Sequence, residues 1–111
     1  MNETLRVITV ADTNITKKCI PILARSLKNK RFLTKILLDS NKIGAEGAKL
    51  LAEGIKDNET LTNLHLSHCS ILEEGAIALS SALQNKKNLL VLDVNNNRIM
   101  PGGCIAICKA I

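Results

Sequence analysis

The stretch LTKILLDSNKI, residues 33–43, decides the fold, because its apolar skeleton returns throughout the chain at a spacing of 28 residues. The skeleton is Leu33, Ile36, Leu38, Asn41 and Ile43. One period later it reads Leu61, Leu64, Leu66, Cys69 and Ile71, and then Leu89, Leu92, Val94, Asn97 and Ile99. One period earlier it is weaker but in register: Leu5, Ile8, Val10, Thr13 and Ile15. The units therefore run 5–32, 33–60, 61–88 and 89–111, the last one cut short, within a single domain spanning 1–111.

Each unit carries two periodicities in tandem. In the leading segment Ile36 and Leu38 point one way while Lys35, Leu37 and Asp39 point the other, the period of a strand with one buried face. In the trailing segment Ala48, Leu51, Ala52 and Ile55 mark one stripe of a helix. The same stripe is Ile20, Leu23, Ala24 and Leu27 in the first unit, Ala76, Leu79, Ser80 and Leu83 in the third, and Cys104, Ile107, Cys108 and Ile111 in the fourth. The pattern predicts strands over 7–11, 35–39, 63–67 and 91–95, and helices over 17–29, 45–57, 73–85 and 101–111. One strand and one helix cannot bury their apolar faces alone, so the units must stack and share a core. Strands space at ~4.8 Å and packed helices at ~8–10 Å, so the stack curves with its sheet inside.

A skeleton of this form, repeated every 20–29 residues or so, is identified as a leucine-rich repeat. The unit length, the full helix in each unit and the segment NKIGAEGAKLLAEGIKDNETL, residues 41–61, resemble the ribonuclease-inhibitor-like subfamily. That resemblance implies an α/β fold: a right-handed β-α solenoid, a horseshoe segment with a parallel sheet on the concave face and helices on the convex face. It also implies binding of another protein on the concave sheet.

Composition narrows the class. Apolar residues make up 46% of the chain but aromatics only 1%, so Leu, Ile and Ala build the core. The net charge of +5 is concentrated in the first unit, where Arg6, Lys17, Lys18, Arg25, Lys28, Lys30 and Arg31 face a single acid, Asp12. A solvated end helix accounts for that patch, and without aromatic stacking platforms nucleic acid is disfavoured as a partner. Cys69 takes the Asn slot of its unit, and Cys104 and Cys108 fall on the apolar stripe, so all three are expected in the core. Cys19 stands where Gly47, Gly75 and Gly103 stand in the other units. No apolar run approaches the ~20 residues of a membrane span, and cysteines used for packing fit a reducing, cytoplasmic setting. The sequons starting at Asn2, Asn14 and Asn58 count little against it. Ile111 stops inside a helix with no polar cap, which reads as a segment of a longer array or as an end that self-associates end to end.

The outward strand positions form columns across the concave face: Val7, Lys35, Asn63 and Val91; Thr9, Leu37, His65 and Asp93; and Ala11, Asp39, Ser67 and Asn95. Their chemistry varies while the core repeats. Lys35, Leu37, Asp39, Asn63, His65, Ser67, Asp93 and Asn95, with His68 at a strand exit, are the expected partner-binding residues, and Leu37 is the apolar anchor among them. His65 and His68 lie about 10 Å apart along an extended chain, too far for joint ligation. Asp39 and Asp93 fall in different columns and read as surface polarity. The glycines lie at strand-to-helix turns and form no phosphate loop. No catalytic residue, cofactor site or metal site is expected, nor a small-molecule substrate. The expectation is an intracellular, non-enzymatic protein-interaction module. The alternatives are a fragment similar to a Ran GTPase-activating protein, or a segment of a larger cytoskeletal, ciliary or immune-receptor scaffold.

Overall fold

The computed structural model describes residues 4–28, 30–84 and 86–111. Four β-α units follow one another: β1 Val7–Thr9 and α1 Ile20–Leu27, β2 Lys35–Leu37 and α2 Gly44–Ile55, β3 Asn63–His65 and α3 Leu72–Leu83, β4 Val91–Asp93 and α4 Met100–Ala110. The strands form one parallel sheet in chain order, β1-β2-β3-β4. Its register repeats the 28-residue spacing, pairing Val7 with Lys35, Lys35 with Asn63 and Asn63 with Val91. Among the described residues each helix packs on the helices next to it in the chain, so the units form a one-dimensional stack.

The strands are shorter than the alternating pattern predicts, because the chain turns out of the pleat soon after them. Asp12, Ser40, His68 and Asn96 hold φ values of 53°, 61°, 54° and 58°, a left-handed turn recurring once per unit. Asp, Asn and His tolerate this region better than most side chains. Backbone bonding still runs to the turn, with Ser40 N–H donating to the Ser67 carbonyl and His68 N–H to that of Asn95. Helix α1 also starts later than expected, at Ile20. Pro21 sits in its first turn, where a missing N–H costs nothing, and the residues before it form a separate turn with Cys19 N–H on the Thr16 carbonyl.

The core lies between sheet and helices and is fullest in the two middle units. Ile36, Leu38, Leu51, Leu64, Leu66, Ile71 and Leu79 have no significant exposure, whereas Ile8, Val10, Leu92 and Val94 of the outer units are half-buried. Helices approach closely through small residues. A Cβ on Gly54 would meet the Ala24 backbone at 2.8 Å, and one on Gly75 would meet Ala48 Cβ at 2.9 Å. Each helix thus turns one flank to the preceding unit and the other to the following one. Cys104 and Cys108 lie on the flank of α4 that none of the described helices covers. Both are exposed, contrary to the core position expected from the stripe.

Asn41 and Asn97 bolt units together. The buried Asn41 Oδ1 accepts from the Thr13 and Ile15 amides at 3.0 Å each, and its Nδ2 donates to the Val10 and Leu38 carbonyls at 2.9 Å. Asn97 repeats the arrangement between the third and fourth units, accepting from Cys69 N–H (2.7 Å) and Ile71 N–H (3.3 Å) and donating to Leu66 and Val94. Cys69 is buried as expected, its thiol donating to the Leu38 carbonyl at 3.3 Å. Burial pushes that thiol's pKa up. At the other end of the units the Lys86 ammonium donates to the carbonyls of Ile55 (2.7 Å), Lys56 (2.9 Å) and Asn58, capping the C-terminus of α2. Among the described residues no helix is long and apolar enough to cross a membrane.

Candidate functional site

The sheet presents the expected columns with their register intact. Thr9, Leu37, His65 and Asp93 stand side by side, as do Val7, Lys35, Asn63 and Val91. Lys35 is exposed, Leu37 is half-buried between its neighbours, and Asn63 is half-buried with its Oδ1 accepting from Thr62 Oγ1. Leu37 therefore offers less apolar surface than a free leucine would. Val7 and Val91, at the two edges, are more exposed.

The centre of this surface is polar and organised. His65 projects from β3 with Asp93 beside it on β4, and its Nδ1 lies 4.0 Å from Oδ2 of both Asp39 and Asp93. One donor atom from each of the three residues falls within 4.8 Å of the others. Asp39 reaches His65 because it lies beyond the end of β2, where the chain is already leaving the pleat. Its other oxygen, Oδ1, accepts from Ser67 N–H (2.7 Å) and Ser67 Oγ (3.0 Å). Asp93 is held similarly, its Oδ1 accepting from Asn95 N–H at 3.0 Å. The reading of Asp39 and Asp93 as unrelated surface acids is thereby corrected: residues of three successive units converge on one imidazole.

His68 stands apart from this cluster. It occupies the left-handed turn, exposed, and its ring takes no part in the grouping of Asp39, His65 and Asp93. Asn95 is exposed and contributes through its backbone. The Cys69 thiol is buried on the core side, away from this surface. A polar groove of ≈ 630 Å³ opens elsewhere, where the helices end and the strands begin, lined by Lys56, Asp57, Glu59, Lys86 and others. Its most buried cation, Lys86, is already occupied by backbone carbonyls. The sheet centre is the better candidate.

A stack of β-α units with a preformed sheet surface defines a class of solenoid proteins. The chain belongs to the leucine-rich repeat family, whose model matches residues 29–52, 57–80 and 85–108. Among solved structures it is similar to Leiomodin-1 Actin-Binding Site 2 (ABS2), with a TM-score of 0.86 at 21% identity. That alignment covers 98% of this chain and 65% of the other, so the chain spans somewhat less than two thirds of that structure. A search of curated proteins gives no sequence match.

Proposed function

We propose that this chain is a non-enzymatic protein-interaction module acting in the cytoplasm, with the concave sheet face as its binding surface. The observation that carries the reading is the contrast between the two faces of the sheet. Inward positions repeat aliphatic residues unit after unit, while outward positions vary between units and present Lys35, Leu37, Asp39, Asn63, His65, Ser67, Asp93 and Asn95 on a rigid support. Preformed surfaces of this kind lose little ordering entropy on binding. A short arc suits a helix, a loop or an extended segment of a partner. His68 contributes from the rim. The ribonuclease-inhibitor-like subclass is supported by the 28-residue unit and by a full helix in each of the three later repeats. The shared architecture with an actin-binding site makes actin the first partner to try.

The test is recovery of native partners on the immobilised chain beside a Leu37→Glu, His65→Glu double variant, with purified actin co-sedimentation run in parallel. A protein retained by the parent and lost by the folded variant supports the concave face. Equal recovery by both sinks that assignment and moves attention to the basic first unit.

A further inference from the structure

We propose that Asp39, His65 and Asp93 form a binding site for a divalent transition-metal ion, with Zn²⁺ the ion they fit. The site is independent of whether the concave face also binds a protein.

Donor chemistry comes first. One imidazole nitrogen and two carboxylate oxygens converge, each from a different repeat, with all three donor atoms within 4.8 Å of one another. An imidazole among the donors favours zinc and its first-row neighbours over calcium or magnesium, which take oxygen ligands. Three protein ligands around Zn²⁺ leave a fourth position for water or another ligand atom.

Geometry supports the assignment. The two Nδ1–Oδ2 separations are both 4.0 Å, beyond hydrogen-bond range, so neither aspartate clamps the ring directly. Ligands about 2.0–2.2 Å from a tetrahedral ion lie about 3.4 Å from one another. Closing the two imidazole–carboxylate separations needs a shift of about half an ångström, and closing the 4.8 Å spread of the three donor atoms one of up to about 1.4 Å, which side-chain torsions supply. The three side chains are 26–29% exposed, so each keeps an edge open to solvent.

The supporting shell is in place. Ser67 holds Asp39 and the Asn95 backbone holds Asp93, in each case through Oδ1, which leaves both Oδ2 atoms turned to the ring. Outer-shell bonds of this type orient metal ligands. Among the described residues no Lys or Arg pairs with either carboxylate, so the two negative charges face one imidazole and no fixed cation. A dication would balance the two carboxylate charges.

The experiment is a Zn²⁺ titration by calorimetry on the full chain carrying Cys104→Ser and Cys108→Ser, which removes the exposed thiol pair as a competing site. One ion per chain is expected. His65→Ala should weaken binding by about 100-fold, and Asp39→Asn and Asp93→Asn each by about 10-fold or more, while His68→Ala leaves it unchanged. Co²⁺ bound to the chain carrying Cys104→Ser and Cys108→Ser should show d–d absorption without a thiolate charge-transfer band. Circular dichroism checks that each variant folds. Absence of saturable Zn²⁺ binding, or affinity unchanged in folded His65→Ala, overturns the proposal.

Discussion

Replacing Asn97 with Ala should remove much of this protein's stability. The carboxamide is 2% exposed and serves two amides and at least two carbonyls across the interface between the third and fourth units. Truncation strands the Cys69 and Ile71 N–H groups, both on fully buried residues. Each buried group left without a partner costs about 1–3 kcal/mol, so the loss is about 4 kcal/mol for the pair. That is a large part of the roughly 5–15 kcal/mol that holds a domain folded. At about 4 °C per kcal/mol the Tm falls by about 15 °C, and the urea midpoint falls by about 2.5 M for a slope near 1.5 kcal/mol per M. The control is Asn97→Cys. Cys69 already occupies the same slot one unit earlier, where its sulfur faces the Asn41 amide, so a cysteine here should accept from one of the two amides and recover about half of the loss. A drop under about 1 kcal/mol in Asn97→Ala, or a Cys variant no better than the Ala variant, would refute the ladder as a principal fastening of the stack.

Three further outcomes are expected. Gly54→Ala should destabilise by about 2 kcal/mol in chemical denaturation, even though alanine is the better helix former by about 1 kcal/mol, because the new methyl meets the Ala24 backbone at 2.8 Å. Lys86→Met should lower stability by about 1–2 kcal/mol by uncapping α2, with the loss read as a reduced Tm at unchanged helix content. The buried Cys69 thiol ionises above its ordinary value of 9.0, so the unfolded chain loses this proton first. Its contribution is full below that pH and is lost as the pH rises past it. The fall in unfolding free energy between about pH 8 and about pH 10 should shrink in Cys69→Ala.

The sequence was most legible where packing repeats. A strict period fixes which residues face the core, so strand register and the columns of the sheet followed from counting. Strand lengths did not, because the left-handed turn at Ser40 and His68 is a backbone choice that an alternating pattern cannot register. The burial of Cys104 and Cys108 failed for a different reason. A stripe shows that a flank is suited to packing, not that a neighbour is there to pack on it. The convergence on His65 was missed because columns treat each strand position as perpendicular to the sheet. Asp39 lies past the end of its strand and leans across to the next unit. Its one sequence signal was Ser67, a hydroxyl at the matching position one period later.

The single-file stacking of units makes the sheet a ruler with fixed graduations. Neighbouring strands are about 4.8 Å apart, so the distance between any two side chains across the face changes only in steps of that size. Gain or loss of one whole repeat would leave every core contact satisfied and the chain still foldable, yet it would carry Asp93 a full graduation away from His65. Such arrays can therefore change what they recognise by copying errors in repeat number, with no substitution at the site itself. A surface assembled from three successive units is also the kind most readily erased by that route.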